Sequence, residues 1–264
     1  LNHFHWHKVT DAQGNDLTDK IIDNMYKDVE DGTPANIHDV KFLKDHLKQV
    51  QVIPCGYHRY YYMHDEMLKH GIEEFNTIGT RGQQVKVTEA ELFELYKDPN
   101  LNYKPEQLTK RGGTHYSDAA CECINSIYND KRTHMVVSTQ NNGAIADLPY
   151  DCIVEISAYI SGKGALPITW GKFNPSERGW VQIMKAMEEC VIEAAVTGNY
   201  GLALAAFEMN PQVEHGHVAQ TVLDELLVAH EKYLPQFADK IAELKAKGIA
   251  SKDPVVMDLM VNGH

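Results

Sequence analysis

Ile53-Pro54-Cys55-Gly56-Tyr57-His58-Arg59-Tyr60-Tyr61-Tyr62-Met63-His64-Asp65-Glu66-Met67-Leu68 is the stretch from which the rest of the chain is read. Pro54 biases Ile53 toward extended geometry and Gly56 permits a tight turn. A helix is therefore expected to start near Tyr57, where free amide donors and the helix dipole favour an anion. An ordinary phenol has a pKa of about 10, so a tyrosine acting as a base near neutrality needs a cation, metal or donor to hold its phenolate. Arg59 and the neighbouring histidines are the candidates. The same residues also fit a structural role, in which Tyr57, Tyr60 and Tyr61 pack amphipathically with wet hydroxyls. The residue pattern leaves both readings standing.

Upstream, Leu1 to Val9 alternates His3, His5 and His7 against Phe4, Trp6 and Lys8, which is strand periodicity with the imidazoles on one face. Three such rings can ligate a divalent metal, although exposed strand faces also tolerate histidine. Asp11 to Asn15 reads as a turn. Leu17, Ile21, Ile22 and Met25 then recur at helical spacing after a cap at Asp16 or Thr18. Gly32 to Pro34 breaks that helix, and a second is expected from Ile37 through Val50 with Val40, Leu43 and Leu47 inside.

Downstream, Thr80-Arg81-Gly82 opens a helix carrying Val85, Glu89, Leu92, Phe93 and Tyr96 and stopped by Asp98-Pro99. Arg81, at the helix start, is placed to grip a carboxylate or phosphate together with backbone amides, or to be a plain surface arginine. Arg111-Gly112-Gly113-Thr114 feeds another helix through Ser117 and Asp118 to Asn129, but matches neither the Walker pattern nor Gly-x-Gly-x-x-Gly. Met135-Val136-Val137 and Ile153 to Ser157 read as strands of an antiparallel sheet that Ser161 to Gly171 continues. From Ser176 onward the chain reads as helical, with a long apolar stripe from Trp180 to Ala195 ended by Gly198-Asn199. Further helices follow over Tyr200–Met209, Val218–Leu227 and Lys232–Ala246.

At 264 residues, 43% hydrophobic and 23% charged, the chain has the composition of a globular protein, and a single mixed domain of the α+β class is expected. A formal charge of −12 argues against nucleic acid or an anionic membrane as partner. No apolar run reaches the roughly 20 residues of a membrane span, and no signal peptide is evident, so a cytoplasmic location is expected. The five cysteines, at 55, 121, 123, 152 and 190, suit reduced thiols better than a disulfide framework, and no structural zinc is expected. The chain opens on Leu1 and directly into an apolar, histidine-rich segment, which reads as a piece of something longer.

Five motifs in consistent order then carry a resemblance: Leu1-Asn2-His3-Phe4, Gly56-Tyr57-His58-Arg59-Tyr60-Tyr61, Arg81 ahead of a glutamate-rich helix, Tyr116-Ser117-Asp118, and Asn141-Asn142-Gly143-Ala144-Ile145. Together they resemble family 4 glycoside hydrolases, closest to the 6-phospho-β-glucosidase branch, over Leu1 to about Phe237. The resemblance implies an α+β fold like the C-terminal domain of lactate and malate dehydrogenases, an antiparallel sheet with several packed helices. It also implies an NAD-binding Rossmann domain preceding this one and absent from this chain.

The chemistry so implied is an NAD-dependent exception to two-carboxylate glycoside hydrolysis. The C3 hydride passes to NAD, the resulting ketone acidifies C2, a base removes the C2 proton, and the aglycone is eliminated. Water then adds and the ketone is reduced again. A divalent metal, usually Mn2+, polarises the C2 and C3 oxygens. By position, His3 matches the family's metal-ligating histidine, Tyr57 its proton acceptor with Tyr60 one turn away, and Arg81 a substrate-contacting arginine. His5 and His7 match no ligand and are left structural. No NAD-binding residue is expected in this chain, and the second metal ligand, a cysteine that Cys55 does not match, belongs to the absent domain. The expected substrate is a phosphorylated disaccharide or β-glucoside. The alternatives are an α-linked phosphoglucosidase or galactosidase of the same family, or a non-catalytic binding module. A homo-oligomer is expected, with the Trp180–Ala195 stripe contributing to a subunit interface.

Overall fold

The computed structural model describes residues 4–27, 40–110, 116–213 and 216–250. Its described residues form two compact units, one ending at Lys172 and the other starting at Phe173. The architecture is α+β, mixing helices with small antiparallel sheets.

The first unit opens on β1 (Trp6–His7), paired antiparallel with β2 (Ile53–Pro54) so that Trp6 faces Pro54 and His7 faces Ile53. Among the described residues the strand itself is limited to Trp6–His7, and one further backbone bond, from the Cys55 amide to the His5 carbonyl at 3.1 Å, continues the pairing up to the turn at Gly56. His3, the expected metal ligand, lies outside the described residues. Between the two strands, Asp11 accepts the amides of Gln13 and Asn15 at 2.9 and 2.8 Å, and Asp16 accepts that of Thr18 at 2.7 Å. These side chains satisfy amides that would otherwise be orphaned ahead of α1 (Thr18–Asn24). Ile22 of α1 and Leu47 of α2 (Lys44–Val50) are fully buried, and Lys48 bridges Asp19 and Asp23 at 3.0 and 2.9 Å.

The second helix differs from expectation. It begins at Lys44, and Leu43, expected inside, is 63% exposed with extended backbone. Phe42 takes the buried place, and Arg59 holds the Val40 carbonyl in a non-helical segment. The break at Gly32 to Pro34 lies outside the described residues.

After the turn come α3 (Arg59–Tyr62), α4 (His64–Thr77) and α5 (Arg81–Leu95). Thr80 and Gln83 form a reciprocal capping box at the start of α5. Leu92 is buried as its pattern predicts, whereas Phe93 and Tyr96 face outward.

The sheet runs in the order β3 (Thr133–Gln140), β4 (Ile153–Ser161), β5 (Gly164–Pro167), antiparallel throughout, as the sequence suggests. Its inner face is packed by α6 (Tyr116–Asn129), where the buried Ser126 hydroxyl donates to the Ile160 carbonyl at 2.6 Å and accepts from the Thr133 amide at 3.1 Å. The loop between β3 and β4 is organised by Asn141, wholly buried. Its amide nitrogen donates to the carbonyls of Ile145, Leu148 and Pro149, and its oxygen accepts from the Ile145 amide.

The second unit is helical: α7 (Pro175–Thr197), α8 (Tyr200–Met209), α9 (His217–Ala229) and α10 (Ala238–Ala246). Pro235 breaks the run expected from Lys232 into two 3-10 turns before α10. Ala194, Ala203, Leu223, Leu227, Phe237 and Ile241 belong to its core. Burying each of the large residues contributes about 1.5–3 kcal/mol.

Candidate active site

Tyr57 sits in the middle of a single 3-10 turn, Gly56–His58, that follows β2 directly. The turn has no side-chain cap, and α3 behind it is only four residues long, so no extended helix dipole converges on the tyrosine.

The residues flanking Tyr57 are also turned to other work. Arg59 is buried, with Nε donating to the Val40 carbonyl at 2.6 Å, Nη1 reaching the Gly56 carbonyl at 3.4 Å, and its guanidinium 5.2 Å from the Phe42 ring centre. It clamps the turn to the segment ahead of α2. His58 is 1% exposed, and burial lowers its pKa from 6.5 to about 4, so the ring is neutral near pH 7. A neutral imidazole is not a cation for a phenolate. Its Nε2 lies 3.0 Å from the His5 carbonyl, which only accepts, so Nε2 carries the proton. The Cys55 amide donates to the same oxygen at 3.1 Å.

Around His58 the rings of Trp6, Phe4, Tyr62 and Tyr61 lie at centroid distances of 4.2, 4.5, 5.5 and 6.1 Å. His5, expected as a structural strand residue, meets the turn through its backbone oxygen, and no sequence pattern announces which carbonyl a buried histidine will find.

Burial raises the pKa of Tyr60, the other tyrosine considered as base, and Tyr57 and Glu74 add to the effect. Tyr61 is raised likewise, chiefly by burial, with Cys55 adding to the effect. The Cys55 thiol is itself pushed up by burial. Tyr57 is half-buried, and so is Arg81, the first residue of α5. They stand on separate elements of the first unit. Among the described residues no group of three or more His, Cys, Asp or Glu side chains is arranged to hold a metal ion. The rings of His5 and His7, 4.7 Å apart, are two donors only.

Residues 1–213 match the model of the family 4 glycosyl hydrolase C-terminal domain. The chain belongs to this family. Among its family 4 relatives is a protein named "Probable 6-phospho-beta-glucosidase" from Bacillus subtilis (strain 168), 48% identical over 241 residues, which are 91% of this chain and 54% of that protein. The 6-phospho-beta-glucosidase of Escherichia coli (strain K12) is 36% identical over 93% of this chain and 55% of its own length. A solved structure of the 6-phospho-beta glucosidase from Thermotoga maritima, with manganese, NAD+ and glucose-6-phosphate, superposes with a TM-score of 0.76 at 31% identity, covering 89% of this chain and 53% of that one. The chain thus spans about half the length of the relatives it matches. The fold is that of a family 4 C-terminal region, similar to the lactate and malate dehydrogenases. No helix among the described residues of this family 4 domain is long and apolar enough to cross a membrane.

Proposed function

We propose that this chain is the C-terminal, substrate-handling part of a cytoplasmic 6-phospho-β-glucosidase that depends on NAD and a divalent metal, Mn2+ by preference, and assembles as a homo-oligomer. The observation that carries the reading is the 48% identity to a 6-phospho-β-glucosidase relative across 91% of the chain, supported by the Thermotoga enzyme's complex with manganese, NAD+ and glucose-6-phosphate. In this reading an N-terminal Rossmann domain precedes the chain. The substrate is a phosphorylated disaccharide or other 6-phospho-β-glucoside.

When bound, the nicotinamide supplies a hydride acceptor for C3 and the metal a Lewis acid for the C2 and C3 oxygens, both held largely by the other half of the parent protein. The described residues alone do not provide a metal donor set, so His3 is assigned only a share in one. This chain's principal task is the proton at C2. The Tyr57 side-chain oxygen takes that proton. The C2–H electron pair becomes the C1–C2 double bond as the aglycone departs from C1 with its bonding pair. Water adds at C1, C2 regains a proton, and the hydride first taken from C3 returns there, so that the ketone becomes the alcohol again. Arg81 contacts the substrate, whose phosphate oxygens match the fork of a guanidinium.

The experiment is Tyr57→Phe in the intact parent. Turnover is expected to fall at least about a hundredfold with substrate binding retained, the usual contribution of a positioned base. In heavy water the wild-type enzyme should place deuterium at C2 of the product. A Phe variant that incorporates deuterium at the wild-type rate shows that Tyr57 is not the base, and Tyr60→Phe is then the variant to measure.

A further inference from the structure

The turn that carries Tyr57 is tied to β1, a segment some fifty residues earlier in the chain. It is one 3-10 turn with no side-chain cap, entered from a two-residue strand through Gly56. Short 3-10 segments have poor hydrogen-bond geometry, so their position is set by tertiary contacts. Two of these contacts meet on one atom: the His5 carbonyl accepts the Cys55 amide at 3.1 Å and the His58 side chain at 3.0 Å. The His58 ring is closed in by Phe4 and Trp6, the residues on either side of His5, and by Tyr61 and Tyr62 of α3. Nδ1 of His58 has no hydrogen-bond partner among the described residues, so its single polar tie is to His5. Arg59 ties the turn on its other side, Nε donating to the Val40 carbonyl at 2.6 Å and Nη1 reaching the Gly56 carbonyl at 3.4 Å, so the His5 carbonyl is what holds it to β1.

We propose that His58 is a positioning residue for Tyr57: its Nε2–H, donated to the His5 carbonyl, fixes the 56–58 turn against β1 and sets where the Tyr57 hydroxyl stands relative to the substrate. The inference rests on the reading of Tyr57 as base and names the device that aims it. The displacement at stake is small. A shift of about 1 Å in a positioned group can cost on the order of a hundredfold in rate.

The test uses two variants of the intact parent enzyme. His58→Phe keeps a ring in the aromatic cage and removes the donor; His58→Gln removes the ring and keeps an N–H near the Nε2 position. His58→Phe is expected to leave KM within about twofold of wild type. Turnover and deuterium entry at C2 should both fall by about tenfold or more, the scale of losing an outer support. Amide exchange across residues 53–58 should quicken. His58→Gln should retain turnover within about threefold and slow that amide exchange again.

Wild-type turnover and deuterium entry in His58→Phe overturn the proposal, as does a correctly folded His58→Gln that is as impaired as His58→Phe, since ring packing would then be the cause. If His58→Phe does not fold, His58→Gln decides alone, near-native turnover supporting the proposal and a tenfold loss in a native fold overturning it. Tyr57→Phe measured in parallel separates the two levels. Wild-type deuterium entry there removes the base and this inference with it, whereas an inactive Tyr57→Phe beside an unimpaired His58→Phe removes only the role of His58.

Discussion

Gly198 and Gln236 lie so close that a methyl group on the Gly198 Cα would overlap the Gln236 carbonyl oxygen. Gly198 also ends α7 with φ at 72°, a left-handed conformation costly for any residue with a Cβ. Both penalties fall on Gly198→Ala, which is expected to lose about 3 kcal/mol or more of stability. Urea unfolding followed by circular dichroism measures it. A loss under about 0.5 kcal/mol would mean that the 235–237 turn moves away freely.

Asn141→Ala removes the amide that donates to the carbonyls of Ile145, Leu148 and Pro149 and accepts from the Ile145 amide. The site is fully buried, so water does not readily replace it. About 3 kcal/mol of destabilisation is expected. Asn141→Asp should fare little better, because a carboxylate lacks the N–H donors the three carbonyls need. Chemical denaturation of the three proteins at pH 7 ranks them, and an Asp variant of wild-type stability would contradict this account.

Stability should fall as pH is lowered through the range set by His58. Its pKa is about 4 folded against 6.5 unfolded. Between those values the unfolded chain binds the proton and the native state does not, so acid favours unfolding. Above the unfolded value the contribution is fully present; it declines as pH drops toward 4 and is flat below. The total is roughly 3 kcal/mol at most. His58→Phe should remove this part of the slope while sparing the carboxylate-linked loss at lower pH. Unfolding free energies measured at half-unit pH intervals for both proteins are the check, and identical slopes would argue against a neutral buried His58.

Arg81→Ala in the intact parent should raise KM for a 6-phosphoglucoside by about tenfold or more, with little loss of stability, since the Thr80–Gln83 capping box does not involve the Arg81 side chain. Non-phosphorylated glucosides, turned over slowly, should be nearly indifferent to the substitution. An equal effect on both substrates would place Arg81 elsewhere than at the phosphate.

The isolated 264-residue chain is expected neither to bind NAD measurably nor to hydrolyse a phosphoglucoside. It has neither a Gly-x-Gly-x-x-Gly loop nor a Walker motif, and in the proposed reading its share in the metal site is His3. Titration calorimetry with NAD and with Mn2+ tests this, and micromolar NAD affinity would contradict it.

The α+β class, the antiparallel pairing of the Met135 and Ile153 strands, the helices from Tyr116 and Pro175 onward, and the family itself were all legible in the sequence. Each rests on local information: period-2 or helical spacing, a glycine or proline at a boundary, or motifs in fixed order. The tertiary structure decided what a side chain finds across the fold. Leu43, expected inside, is exposed and Phe42 is buried, in a segment whose Val40 carbonyl is held by Arg59, 19 residues later in the chain. Among the described residues of the histidine-rich start the strand is only Trp6–His7, because its partner enters a 3-10 turn at Gly56. Tyr57 sits on a 3-10 turn in place of a helix start, and His58 and Arg59, candidate cations by proximity in sequence, became a neutral buried bolt and a backbone clamp. Sequence spacing sets which face a residue occupies, whereas hydrogen-bond partners and burial depend on segments more than fifty residues apart, as His5 and His58 are.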